Sequence, residues 1–164
     1  MMTGKAPMKI ATLMPAFQLA IRAGLAAGLS VAIAMMLGLE SPLYAMIAAV
    51  IITDLSPVQT QQMGLQRLAG TVLGASLGAV ISALQVVSIW MIGLGIMVSI
   101  FLCHLLRLQG AAKMAGYICG IVMLEHSAHP WTYAFYRLIE TMLGIVVAVA
   151  VSFVPKLIRV NTAT

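Results

Sequence analysis

Charge is what this sequence has least of. Of its 164 residues only 8% are Asp, Glu, Lys or Arg, and only four are acidic, against about 25% charged in soluble domains. So few charges cannot cover a water-exposed surface, which excludes an ordinary soluble fold. There are two cysteines, Cys103 and Cys119, both inside apolar stretches. They exclude a disulfide-stapled scaffold and read as small buried apolar residues. Aromatics are 6% and no basic patch is interleaved with them, so the net charge of +5 does not point to nucleic acid. No phosphate loop, nucleophile–base–acid set or lipidation motif is present. The sequence gives no case for an enzyme or a cofactor.

Apolar residues make up 62%, against roughly 45–50% in soluble domains. They form six runs, 17–37, 42–56, 65–84, 88–106, 110–125 and 131–154, joined by short connections. A span needs about 20 residues, and in lipid only helices satisfy their own backbone. The expectation is an all-α integral membrane protein with six transmembrane helices. It forms a single membrane domain over 1–164, with halves at 17–84 and 88–154. Lys5 and Lys9 precede the first run, but that run is too long for a signal-peptide core and is expected to be a retained span.

With a cytoplasmic N-terminus, eight of the nine basic residues fall at or near the cytoplasmic side, Arg137 excepted. The positive-inside rule then puts both termini in the cytoplasm. An internal repeat supports two halves: Arg67-Leu-Ala-Gly-Thr71-Val-Leu-Gly74 aligns with Arg137-Leu-Ile-Glu140-Thr141-Met-Leu-Gly144. Three helices per half make the repeat inverted, a common transporter plan.

Small residues recur every four positions: Ala20, Gly24, Gly28 and Ala32; Gly70, Gly74, Gly78 and Ser82; Gly144, Ala148 and Ser152. Such stripes let helix backbones approach closely. Arg22, Asp54, Arg67, Glu125, Arg137 and Glu140 lie in or at the ends of spans. A charge at mid-bilayer costs about 2.5–3.5 kcal/mol on insertion scales, so such residues face the protein interior and often mark a substrate path. Asp54 and Glu125 end the two shortest spans, and the fifth, carrying Gly116 and Gly120, is expected to be interrupted there. Glu125-His126-Ser-Ala-His129 has the look of a metal cluster, but no third or fourth ligand accompanies it, so no metal is expected. Arg137 with Glu140 at i+3 has the spacing of a structural ion pair.

Four stretches, Ser41-Pro42-Leu-Tyr44-Ala45, Arg67-Leu-Ala-Gly70-Thr71-Val-Leu-Gly74, Ala115-Gly116-Tyr117 and Arg137-x-x-Glu140-Thr141-x-x-Gly144, resemble the membrane half of the fusaric acid resistance and aromatic acid exporter family. Plant aluminium-activated malate transporters are similar at the superfamily level. The resemblance covers roughly residues 17 to 155 and implies efflux of aromatic or other organic acids. Many members carry two membrane units and cytoplasmic domains, and usually Trp where this chain has Tyr44. The single unit here implies a homodimer or higher homo-oligomer.

The resulting expectation is an inner-membrane exporter or channel for small organic anions, aromatic carboxylates above all. Arg22, Arg67 and Arg137 would meet the carboxylate, and Tyr44 and Tyr117 the ring. Asp54, Glu125 and Glu140 would balance charge or carry protons. Arg67 and Arg137 are expected toward opposite faces, serving successive stages of crossing. The alternative is a structural membrane subunit that binds a partner protein and transports nothing. Its cue would be a lipid-facing small-residue stripe with every charge paired. A weaker rival is an enzyme at the Glu125–His129 loop.

Overall fold

The computed structural model describes residues 10–84, 88–125 and 129–154, and every regular element among them is helical. The helices are α1 (Ile10–Met36), α2 (Pro42–Ile52), α3 (Pro57–Ala83), α4 (Ile89–Leu105), α5 (Ala112–Glu125) and α6 (Pro130–Ser152), with a 3-10 turn, Gln109–Ala111, before α5. Three are long and apolar enough to cross a membrane: Met14–Met36 of α1, α3 and α6. Helices α2 and α4 are shorter apolar helices. At 1.5 Å per residue α2 is about 16 Å long and α5 about 21 Å, well under a hydrocarbon core of about 30 Å.

Local chemistry sets the helix ends. Proline occupies the first turn of α2, α3 and α6, where its missing N–H costs nothing. Helix α1 stops at Gly38, whose φ of +66° suits glycine. The Gly38 N–H donates to Met35 O and that of Leu39 to Ala34 O, which closes a Schellman cap. Helix α4 ends the same way, with Arg107 at φ +60° in the glycine position. There Arg107 N–H donates to His104 O and Leu108 N–H to Cys103 O.

Two expectations are corrected. Helix α3 begins at Pro57, eight residues before the apolar run. Thr60, Gln61 and Gln62 are polar but good enough helix formers to extend the cap backwards. Helix α5 is continuous through Gly116 and Gly120. Those glycines make room for Ile100 and Ile96 of α4, which lie 3.0 and 3.3 Å from where a Cβ would stand.

The bundle is small inside and large outside. Its buried apolar residues are chiefly alanines, among them Ala26, Ala48, Ala49, Ala75, Ala79 and Ala115, whereas Met36, Ile89 and Trp90 are almost fully exposed. That is the pattern of a protein whose surface faces lipid and whose helices associate by close backbone approach. Helix α3 packs mainly on α5 and α6, α6 on α2, α4 on α5, and α1 on α2 and α6. A Cβ at Gly74 would stand 2.3 Å from Ala115 O, and one at Gly144 2.3 Å from Ala45 O. The stripes of α3 and α6 are thus spent inside the chain. The α1 stripe is not: Gly24 and Gly28 have nothing within 4 Å, because α1 packs through Ala26, Ser30 and Ala34 instead. Buried hydroxyls mostly turn back on their own helix, as Thr71 does to Arg67 O and Ser99 to Gly95 O. This satisfies the donor without a partner helix.

Candidate functional site

Helices α3 and α6 run antiparallel against each other. Ser152, the last residue of α6, lies 3.2 Å from Thr60 in the first turn of α3. Arg67 is ten residues into α3 and Arg137 seven into α6, so from opposite ends both reach the middle of the pair. They line one cavity together with Tyr44, Thr71, Tyr117, Ile118, Ile121 and Thr141. The two side chains, expected toward opposite faces, meet at this one cavity. Its volume is about 10 Å3, room for about one water.

The two arginines have different surroundings. Arg137 is 4% exposed, and only its Nε lacks a hydrogen-bond partner among its buried nitrogens. Its Nη1 donates to Glu140 Oε2 at 2.9 Å, and its guanidinium lies 3.0 Å from the Tyr44 ring centroid and 4.4 Å from that of Tyr133. Cation–π contacts of this kind add most where water is excluded. Glu140 is wholly buried and accepts the Ser41 N–H at 2.9 Å, so the first turn of α2 is capped from α6. Beyond the tyrosines sits Glu125, exposed at the end of α5. It accepts hydroxyl hydrogen bonds from Tyr44, at 3.2 and 3.3 Å, and from Tyr133.

Arg67 is 2% exposed, and its Nε and Nη1 have no hydrogen-bond partner. Tyr117 is the hydroxyl-bearing neighbour that approaches its guanidinium. The ion pair found among the described residues belongs to Arg137 and Glu140. A buried guanidinium with unsatisfied N–H donors costs several kcal/mol unless a counter-charge reaches it. Facing a cavity beside phenol rings, it is placed to receive an anion.

The remaining expected residues lie elsewhere. Arg22 donates from Nη1 to Leu55 O at 2.9 Å, tying α1 to the chain after α2. Asp54 accepts the Ser56 N–H through Oδ1 at 3.1 Å and shapes the α2–α3 turn. Neither lines the cavity, and the expected counterparts Asp54 and Glu125 differ in place and partners: Asp54 lies beyond the end of α2, whereas Glu125 is the last residue of α5. His126 lies outside the described residues. Sequence reasoning missed Tyr133, Thr71 and Thr141 as site residues. A signal existed: each stands four positions from an intramembrane arginine, on the same helix face.

The model of aromatic acid exporter family member 1 matches residues 14–154. The chain belongs to the aromatic acid exporter family. It is accordingly a membrane transporter, and the resemblance carried by the two Arg–Thr–Gly motifs is correct. No curated protein and no solved structure matches.

Proposed function

We propose that this family member exports small organic anions, aromatic carboxylates in particular, and binds them at the Arg67 cavity. The observation that carries the reading is Arg67 itself, a buried cation with unsatisfied donors facing a cavity lined by Tyr44 and Tyr117. Its guanidinium fork matches a carboxylate, and the phenol rings suit an aromatic face. The present volume is far too small for a benzoate, so transport requires the walls to part. The Tyr44–Glu125–Tyr133 clasp is the expected place. Tyr44 of the clasp lines the cavity, and Tyr133 lines an open recess of about 370 Å3 together with Glu40, His129, Thr132 and Tyr136.

In this reading the chain has six spans in two inverted three-helix halves. Helix pairing supports it, since α3 meets α5 as α6 meets α2, and α4 meets α5 as α1 meets α2. The contacts Gly74–Ala115 and Gly144–Ala45 are counterparts 70 positions apart at both residues, and α1 and α4 end in the same cap. The basic residues put both termini in the cytoplasm of an inner membrane. A homo-oligomer completes the family's usual pair of units. The test is uptake of 4-hydroxybenzoate into proteoliposomes. Saturable uptake that Arg67→Ala abolishes supports the reading, and no flux by intact wild type sinks it.

The structural-subunit alternative draws on the exposed Gly24–Gly28 face of α1. Its other cue, a full pairing of charges, is not met at Arg67.

A further inference from the structure

The charges around the cavity do not balance. Two guanidiniums line it, those of Arg67 and Arg137. One carboxylate, Glu140, is buried with them and held by Arg137 Nη1 and the Ser41 N–H. Glu125 stands at the exposed edge, engaged by two tyrosine hydroxyls and open to screening by water. Asp54 is in the α2–α3 turn and Glu40 on the open recess. The interior therefore holds one net positive charge. Arg137 leaves only Nε unsatisfied and is ion-paired, whereas Arg67 leaves both Nε and Nη1 without a partner and has no ion pair among the described residues. A monoanion neutralises it. A dianion would leave a negative charge in a low-dielectric interior, where charges are costly.

The motif explains the asymmetry. The position in the first motif matching Glu140 is Gly70, where even a Cβ would stand 2.8 Å from Ala111 O. No acid fits there, so Arg67 has no counterpart to the carboxylate that neutralises Arg137.

Resting on the reading of this cavity as an organic-anion site, we propose that Glu140 sets its charge capacity. By neutralising Arg137 it admits acids with a single negative charge and rejects those with two. Glu140 acts through Arg137 and is a specificity-determining residue that does not itself contact the substrate.

The test is binding of 3-carbamoylbenzoate and isophthalate to the purified protein in mild detergent, two acids of similar shape that differ by one charge. At about pH 7.5 all their carboxylates are ionised. Wild type should prefer the monoanion. Glu140→Gln keeps the side chain's size and the acceptor for Ser41 but frees Arg137, and should shift the preference toward isophthalate by about tenfold or more, the lower range for close charge pairs. Arg137→Gln combined with Glu140→Gln returns the interior to one positive charge and should restore the monoanion preference. An unmoved ratio in Glu140→Gln, or a shift that persists in the double variant, overturns the proposal while leaving the anion site standing. Wild type that binds neither acid overturns both. A measurement that needs no variant is the affinity of wild type for benzoate, isophthalate and benzene-1,3,5-tricarboxylate. It should fall along that series, and a flat or rising order contradicts the proposal.

Discussion

Replacing Gly74 by alanine tests the packing that holds the cavity together. The new Cβ would stand 2.3 Å from Ala115 O, 2.9 Å from its Cα and 3.0 Å from its carbonyl carbon. Ordinary contact begins near 3.4 Å, so α3 and α5 must part by about 1 Å. The obstructing atoms are backbone and cannot rotate away. Overpacking of this kind costs about 1–3 kcal/mol, and the gain in helix propensity offsets up to about 1 kcal/mol of it. Gly24→Ala is the matched control. It meets nothing within 4 Å and should leave stability unchanged or slightly raised. Gly144→Ala, with Ala45 O at 2.3 Å, should behave like Gly74→Ala. The assay is thermal unfolding of the three purified variants in one mild detergent. Gly74→Ala and Gly144→Ala should unfold several degrees below Gly24→Ala. Three coincident curves would refute the reasoning. The separation also reaches the site, because α3 carries Arg67 and Thr71 while α5 carries Tyr117 and Ile118.

Other outcomes follow from the same contacts. Arg107 occupies the left-handed position at the end of α4, a conformation costing about 1–2 kcal/mol in a residue other than glycine; Arg107→Gly should raise the unfolding temperature, and a lowered one would refute the cap. Tyr133→Phe removes a hydroxyl from Glu125 and should raise the rate of 4-hydroxybenzoate flux if the clasp limits opening; an unchanged rate in assembled protein argues against that role. Cysteines placed at Thr3 and Thr162 should resist a membrane-impermeant reagent in intact cells, and labelling at either would refute the cytoplasmic termini. A homo-oligomer should appear by cross-linking in bilayers, and a monomer with full transport would count against it.

Much of the bundle can be read in the sequence because lipid imposes a simple rule. Long apolar runs must be helices, and Ser41-Pro42 marks where α2 starts. The start of α3 is hidden because Gln61 and Gln62 look like loop but lie on a helix longer than its apolar stretch. Gly116 and Gly120 are ambiguous in sequence, since glycine both breaks helices and admits neighbours, and only the facing Ile96 and Ile100 decide. At the site, Arg67, Arg137, Tyr44 and Tyr117 are legible as polar groups in apolar surroundings, and the structure brings them to one cavity. Arg22 and Asp54 carry the same signal yet serve backbone groups at the chain between α2 and α3, because a charge near a helix end can cap as easily as it can bind. The meeting of Arg67 with Arg137 depends on how α3 and α6 cross, which no local pattern encodes.

The central claim is that Arg67 holds the carboxylate of the transported acid, and calorimetric titration of 4-hydroxybenzoate into purified protein tests it most directly. A charge-assisted hydrogen bond contributes about 1.5–3 kcal/mol, so Arg67→Ala should weaken binding by at least about tenfold. Arg67→Lys should recover part of it, and Arg22→Ala should bind as wild type does. Wild-type affinity in a folded Arg67→Ala protein would contradict the account.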